Sequence, residues 1–186
     1  MLLGVEKFDT FVQEFGSLFR NPLPSEDECI AQAEALMSQL VAVDDWLPDE
    51  FAQPGDAAFK QYMLYADSEK VFTVLGVVWA PGQYAGPHDH RIWGVVGQLR
   101  GEEFSQEYHE PELGQKTKVR ETVVLKRGHT CSVAPHRGDI HDVENRTNGI
   151  SISIHAYAGD LAEVADKRRR FNPDTGEVLP FLADYH

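Results

Sequence analysis

Residues 82–101 read GQYAGPHDHRIWGVVGQLRG and contain two histidines, His88 and His90, separated by one residue. Side chains two residues apart on an extended strand point to the same side of it, so both imidazoles can reach one ion. Imidazole is the commonest protein ligand for divalent transition metals. This stretch therefore predicts a metal site built on a β-strand.

The histidines are unevenly distributed along the chain. Seven of the eight lie in the segment from His88 to His155. His141 follows Gly138-Asp139-Ile140 in strand-like sequence and is the candidate for a third ligand. His136 lies close to that segment and is a candidate for contact with a ligand. His155 lies in the last predicted strand, and the other three are expected on the surface or in turns: His109, His129 and His186.

Charge excludes some classes of function. The 186 residues include 17 Lys+Arg and 30 Asp+Glu, a net charge of −13, so nucleic-acid binding is not expected. The basic cluster Lys167–Arg170 is expected to be a solvated helix end.

The longest apolar run, Val71–Ala80, is about half the ~20 residues that a membrane span needs. Cys29 and Cys131 form no disulfide framework, so we expect a cytoplasmic protein. The sequence does not reveal its oligomeric state.

The chain is expected to form a single domain over residues 1–186, beginning with a helical segment at 1–50. Ser25 followed by Glu28 is a capping box that opens the second helix, after a break at Asn21–Pro24. Apolar residues at the helical period mark the first helix: Val5, Phe8, Phe11, Val12, Phe15, Leu18 and Phe19.

From about Phe59 the apolar period changes to two, which predicts a mainly β structure, a sandwich or barrel over residues 59–160. Residues 161–186 are expected to be a C-terminal tail. Val71–Trp79 is apolar on both faces, so this strand is expected to be covered on both sides. Further predicted strands are Ile92–Leu99, Glu103–His109, Val119–Leu125, Thr130–Val133, Ile140–Glu144 and Ile150–Tyr157.

In the last of these strands, Ser153, His155 and Tyr157 alternate with apolar residues and so share one face. Three polar side chains on an inward face are costly unless they bond one another or a ligand. The pattern is compatible with a satisfied polar network and equally with a catalytic one whose tip is the tyrosine hydroxyl.

The spacing of Gly82, His88, His90, Gly94 and Gly101 resembles the first cupin motif, except that Gly94 replaces a metal-binding Glu. The end of the second motif is matched by Gly138, His141 and Asn145, while its front is one residue longer in two places. The resemblance implies a cupin double-stranded β-helix, a jelly-roll barrel with a metal inside and a helical segment at its N-terminus.

Within the cupins, the chain resembles the thiol dioxygenases, the family of cysteine dioxygenase and 3-mercaptopropionate dioxygenase. The resemblance covers about Phe59 to Tyr157 and, more loosely, the N-terminal helices. It rests on His88-Asp89-His90, Trp93-Gly94, Arg100-Gly101-Glu102-Glu103, Arg137-Gly138-Asp139-Ile140-His141, Val143-Glu144-Asn145 and Ser151-Ile152-Ser153-Ile154-His155-Ala156-Tyr157. It implies that both atoms of O2 are added to the sulfur of a small thiol carboxylate, giving a sulfinic acid.

The same resemblance implies roles for individual residues. His88, His90 and His141 would bind Fe(II), and Ser153, His155 and Tyr157 would form the triad outside the metal ligands.

Two positions bear on the branch of the family. Animal-type cysteine dioxygenases have a cysteine, where this chain has Gly94, and an arginine, where it has Gln61. The Gln branch resembles bacterial 3-mercaptopropionate dioxygenases, which implies 3-mercaptopropionate as substrate and Gln61 as a substrate-binding residue. Because an amide cannot supply a charged fork, Arg168, Arg169 or Arg170 is a candidate for neutralising the substrate carboxylate.

Three alternatives stay open at this point. The protein is compatible with a true cysteine dioxygenase, with a non-catalytic cupin that binds a metal or small ligand as a sensor, and with a zinc or nickel isomerase. Three imidazoles suit Fe, Ni and Zn alike, so spacing alone does not choose the metal.

Overall fold

The computed structural model describes residues 2–20 and 24–181, and eleven strands dominate them. The strands are β1 (Lys60–Ala66), β2 (Thr73–Trp79), β3 (Tyr84–His88), β4 (Gly94–Arg100), β5 (Glu102–Tyr108), β6 (Val119–Lys126), β7 (Thr130–Val133), β8 (His141–Glu144), β9 (Ser151–Tyr157), β10 (Arg169–Phe171) and β11 (Val178–Pro180). The mainly β class is confirmed.

The strands form two antiparallel sheets, ordered β1-β2-β9-β4-β7 and β11-β10-β3-β8-β5-β6. Their inner faces pack together to enclose a barrel, the double-stranded β-helix. Every residue of β2 is buried, as its two apolar faces predict. The apolar cluster between the sheets contains Leu75, Val77, Trp79, Ala85, Val133, Val143, Tyr157 and Leu161.

Two helices precede the barrel, as predicted: α1 (Glu6–Ser17) and α2 (Glu26–Val41). The capping box is present, since the Ser25 hydroxyl accepts a hydrogen bond from the Glu28 backbone and the Glu28 side chain accepts one from Ser25 N–H at 2.9 Å. The predicted break between the helices lies mostly outside the described residues, at 21–23. None of the helices within the described ranges is long and apolar enough to cross a membrane.

The helices cover the outer face of the first sheet. Met37 and Val41 of α2 pack so closely over Gly97 of β4 that a Cβ on this glycine would lie 2.6 Å from Met37 Cγ. The contact leaves the inner face of the sheet free to line the barrel interior, where the polar residues of β9 lie.

The segment after residue 160 differs from the predicted tail. A short helix α3 (Leu161–Val164) leads to β10, which joins the second sheet by pairing Arg170 with His88 of β3. The expected solvated helix end at Lys167–Arg170 is therefore wrong, since Arg169 and Arg170 lie in a strand and Arg168 is only 4% exposed. The basic cluster gave no sign of this pairing because its partner lies about 80 positions earlier.

Candidate active site

The three histidines predicted as ligands converge inside the barrel. His88 ends β3 and lies opposite His141, the first residue of β8. Their candidate ligand nitrogens and those of His90 all lie within 4.8 Å of one another. The geometry allows one ion to be shared by the three.

The two-residue spacing predicted that His88 and His90 lie on one strand. In the structure the strand ends at His88, and His90 lies in the loop that follows. Its backbone N–H donates to the Asp139 carboxylate at 2.9 Å, and the N–H of Arg91 donates to the same oxygen at 3.1 Å. Asp139 thus fixes the loop from the segment that also carries His141, and the two imidazoles still face one point.

Each of the three imidazoles has its Nδ1 occupied by a protein acceptor. His88 Nδ1 lies 2.9 Å from the carbonyl of Gly86, and His90 Nδ1 lies 3.3 Å from the carbonyl of Asp139. His141 Nδ1 lies 3.2 Å from the hydroxyl of Ser105, which itself donates to the Asp142 carbonyl. Because a carbonyl only accepts, Nδ1 carries the proton in His88 and His90, and the lone pair of Nε2 is left for an ion.

These histidines are also uncharged at neutral pH. Burial lowers the pKa of His88 and His90 well below the ordinary value, and repulsion from His141 and Arg168 lowers it further. Burial, then Arg168, lowers the pKa of His141 to about 4. Neutral imidazole is the form that binds metals, so the cluster is ready to bind a cation without first losing protons.

Gly94 occupies the position at which the first cupin motif has a glutamate, so no carboxylate reaches the histidines from there. Gly94 lies opposite Tyr157 across the β4–β9 pair. A Cβ here would lie 2.4 Å from Tyr157 Cδ1 and 2.9 Å from the carbonyl oxygen of Ala156. Any side chain, carboxylate or thiol, would displace the tyrosine, so the site combines three neutral imidazoles with a tyrosine.

Ser153, His155 and Tyr157 form a continuous chain on the inner face of β9. His155 Nε2 lies 2.8 Å from the Ser153 hydroxyl, and its Nδ1 lies 2.9 Å from the Tyr157 hydroxyl. All three are buried, and burial lowers the pKa of His155 to about 3, with smaller contributions from His141 and Arg168. A neutral imidazole between two hydroxyls can pass a proton in either direction.

Tyr157 brings this chain to the histidine cluster. Its ring stacks on His90, with centroids 5.6 Å apart and planes inclined by 22°. Tyr157 and His155 line the same cavity as the three candidate ligands. The hydroxyl chain and the histidine cluster therefore share one chamber.

Of the three adjacent arginines that the sequence named as candidates, Arg168 lines this chamber and gives it a positive charge. Its guanidinium stacks over Phe181 at 4.1 Å and its Nε donates to the Asp89 carbonyl at 3.0 Å. Arg169 instead pairs with Asp89 and with Glu110 at the surface. Arg170 is exposed.

Gln61 lines the same chamber from β1. It is 7% exposed, and its Oε1 has no hydrogen-bond partner among the described residues. Lys60, its neighbour, lies instead over the ring of Tyr62, 4.7 Å from the centroid. A buried amide oxygen without a partner is costly, which points to a ligand at this position.

Asp89 is a contributor that the sequence interpretation missed, although it lies between the two histidines. Its carboxylate is fully buried and accepts from the backbone N–H of Arg169 at 2.7 Å and from Arg169 Nε at 2.6 Å. These bonds attach β10 to the metal loop and thereby place Arg168 in the chamber. Sequence reasoning also missed several walls of the chamber: Phe59, Trp79 and Phe181.

The other histidines lie away from the cluster, apart from His186, which is outside the described residues. His109 and His129 are exposed. His136 is exposed as well and contacts Glu26 and Asp27 of α2 at 2.8 and 3.2 Å, not a candidate ligand. Burial raises the pKa of the Cys131 thiol to about 12, so it stays protonated and is no nucleophile.

No family model matches the sequence. Among solved structures, an uncharacterised conserved protein with a double-stranded β-helix domain from Klebsiella pneumoniae is 20% identical over 60% of this chain and 85% of its own, with a TM-score of 0.46. The cupin domain of Cnp3 from Schizosaccharomyces pombe is 13% identical over 64% and 77%, with a TM-score of 0.46. An oxalate oxidase in complex with the substrate analogue glycolate is 17% identical over 62% and 60%, with a TM-score of 0.43.

Proposed function

We propose that this protein is a non-haem Fe(II)-dependent thiol dioxygenase that converts a small thiol carboxylate, preferentially 3-mercaptopropionate, into its sulfinic acid. The observation that carries the proposal is one cavity lined by three neutral imidazoles, a buried arginine and a tyrosine. These groups offer ligands for a metal, a cation for a carboxylate and a hydrogen-bond donor.

The metal ligands would be His88, His90 and His141. Three neutral ligands leave the ion its full charge and open coordination positions, which favours an anionic donor such as a thiolate. Bound iron would supply the electronic coupling between sulfur and dioxygen. The overall reaction needs no external reductant, because the thiol sulfur loses the four electrons that dioxygen gains and both oxygen atoms end on sulfur.

Arg168 is the proposed partner of the substrate carboxylate. It is the buried cation of the chamber, and Phe181 holds its guanidinium plane while one of its nitrogens is already committed to Asp89. Among the described residues no hydrogen bond is seen from its remaining nitrogens, which can form a charge-assisted pair stronger than a bond from an amide. Holding the carboxylate fixes the sulfur end of a short substrate toward the three histidines, a proximity effect.

Tyr157 is proposed to donate a hydrogen bond to the reacting end of the substrate. His155 holds its hydroxyl at 2.9 Å, and Ser153 fixes the other ring nitrogen of His155. The histidine remains neutral, so it orients the tyrosine and does not add a charge to the chamber.

Gln61 is the residue on which substrate choice depends, and it also supports the second candidate function. Turned with its nitrogen inward, the amide donates to a carboxylate; turned with its oxygen inward, it accepts from an ammonium. The second orientation would suit the α-amino group of cysteine, whereas 3-mercaptopropionate has no such group. A cysteine dioxygenase that forms cysteine sulfinate is therefore the alternative.

The test is oxygen uptake by protein reconstituted anaerobically with Fe(II). We expect thiol-dependent uptake with a larger kcat/KM for 3-mercaptopropionate than for L-cysteine. The reverse order would favour the cysteine dioxygenase. Thiol binding without oxygen uptake would leave a non-catalytic binding protein, and activity with zinc or nickel but not iron would indicate another reaction class.

A further inference from the structure

Glu103 is a carboxyl group buried behind the Ser153–His155–Tyr157 chain, and the proposed chemistry has not used it. It is 3% exposed and lies on β5, two residues before Ser105 and on the same inward face. Its Oε1 has no hydrogen-bond partner among the described residues. A buried carboxyl without full hydrogen bonding is costly and calls for a functional explanation.

The surroundings of Glu103 keep it close to the point of ionisation. Burial raises its pKa to about 7, although the neighbouring Ser153, Trp79 and Ser151 side chains each lower it. Trp79 also lines the chamber, and its Nε1, like Glu103 Oε1, has no hydrogen-bond partner within the part of the chain that the structure describes. Glu103 therefore neighbours Ser153, at the inner end of the hydroxyl chain, and Trp79 of the chamber wall.

The titratable groups that face Glu103 do not compete with it near neutral pH. Cys131 of β7 stays a thiol, because burial and the charge of Glu103 raise its pKa to about 12. His155 of β9, reached through Ser153, stays neutral with a pKa of about 3. Glu103 is thus the group in this neighbourhood that can change its charge.

We propose that Glu103 is the proton acceptor for the substrate thiol, through Tyr157, His155 and Ser153. This role rests on the proposed function, because it assigns a destination to the proton that the thiol gives up on binding.

The transfer balances without any change of oxidation state. The S–H bond breaks, the Tyr157 oxygen takes that proton and gives its own to His155 Nδ1. His155 gives the Nε2 proton to Ser153, and Ser153 gives its proton to Glu103. Each intermediate group gives one proton and takes one, so His155 is never left as a cation.

The transfer also reverses the direction of every hydrogen bond in the chain. With Glu103 ionised, Ser153 donates to it and Tyr157 donates to His155. With Glu103 protonated, Glu103 donates to Ser153 and Ser153 to His155, so that His155 donates to Tyr157. The tyrosine hydroxyl then directs its hydrogen into the chamber, where it is available to the substrate.

The first test is an infrared pH titration of the metal-free protein. We expect the carbonyl band of a buried carboxylic acid to disappear with a midpoint near pH 7, to be absent in Glu103→Gln, and to persist in Glu102→Gln. Glu102 is the matched control because it precedes Glu103 in the same strand and, by the alternation of a strand, points to the other face. A band that is unchanged in Glu103→Gln would overturn the proposal.

The second test measures the rate of proton release by stopped flow when 3-mercaptopropionate is mixed anaerobically with the Fe(II)-loaded protein in weak buffer with a pH indicator. Near pH 8, where a free thiol is still largely protonated and Glu103 is ionised, the wild type should release the thiol proton fastest. Glu103→Gln and Ser153→Ala should each release it about 100-fold more slowly, a usual loss for a general base. Near pH 6, where Glu103 is already protonated, the wild type should be as slow as both variants.

Ser153→Ala keeps the proposal testable if Glu103→Gln fails to fold, since it cuts the chain while keeping the infrared band of Glu103. Thiol binding with equal rates of proton release from the wild type and both variants at pH 8 would overturn the role of Glu103 alone. No thiol binding by the iron-loaded protein would overturn the proposed function and this role with it.

Discussion

At the scale of single residues, Tyr157 is where the metal cluster and the hydroxyl chain meet. Replacing Tyr157 with phenylalanine removes the hydroxyl that lies 2.9 Å from His155 but keeps the ring that stacks on His90. We expect turnover to fall about 100-fold, a usual loss for a proton donor, with unchanged iron content. Steady-state oxygen uptake and metal analysis check both parts, and loss of iron would mean that Tyr157 helps to bind the metal.

Gly94 tests the packing around the same tyrosine. Gly94→Ala introduces a Cβ that would lie 2.4 Å from Tyr157 Cδ1 and close to backbone, so the strand pair or the tyrosine must shift. We expect a loss of about 1–3 kcal/mol in the free energy of unfolding, as in other overpacked cores, together with lower turnover. Urea denaturation measures the first effect.

Gly149→Ala is the control for this substitution, since a Cβ on Gly149 would meet nothing within 4 Å. Equal stability of the two alanine variants would contradict the account of Gly94.

At the scale of secondary-structure elements, β10 joins the second sheet and brings Arg168 into the chamber. We expect Arg168→Met to raise KM for 3-mercaptopropionate about 100-fold or more, because a carboxylate would lose a charged, partly desolvated partner. Iron content should not change. Steady-state kinetics on iron-loaded protein give the measurement.

Arg170→Met is the matched control, because Arg170 lies two residues after Arg168 and is exposed. Its KM should equal that of the wild type. If both variants raised KM equally, the effect would come from the general field of the basic cluster and not from a bond to the substrate.

The elements also show what the sequence could predict. Two local patterns could be recognised from the sequence, because strand geometry fixes the direction of neighbouring side chains. They are the His88–His90 pair and the alternation of Ser153, His155 and Tyr157. Arg168 could be named only as one of three adjacent arginines, and Glu103 was not recognised, because their environments depend on pairing or packing with distant segments. Asp89 was readable in principle, as a carboxylate between two candidate ligands with arginines elsewhere in the chain.

At the scale of the whole molecule, the buried histidines make the metal-free fold sensitive to acid. Burial lowers the pKa of His88, His90, His141 and His155, so below about pH 6.5 the unfolded chain binds protons that the folded chain does not. Their contribution to stability is present above that pH and is lost as the pH falls. Glu103 has the opposite effect on stability between about pH 4.5 and 7. Because its pKa is raised, the folded chain binds a proton there that the unfolded chain does not.

The net expectation is that metal-free protein loses up to about 4 kcal/mol of unfolding free energy per pH unit below pH 6.5, from a net uptake of about three protons. Urea midpoints at about pH 7.5 and 5.5 measure it. A midpoint that stays constant or rises on acidification would contradict the assignment of four buried neutral histidines.

The net charge of −13 describes the surface of the molecule, whereas the chamber is locally positive. Arg168 and three neutral imidazoles ready for a cation lie inside an otherwise acidic protein. An anionic thiol carboxylate would be attracted by this local field only at short range, because salt screens the distant charges.

The central claim, that both atoms of dioxygen are added to the sulfur of a thiol carboxylate, is tested most directly by isotopic labelling. The Fe(II)-loaded protein would be supplied with 3-mercaptopropionate and labelled dioxygen in unlabelled water, and the product analysed by mass spectrometry. The account predicts a sulfinic acid in which both sulfinate oxygens are labelled. A product with one labelled oxygen or none, or a disulfide as the main product, would contradict it.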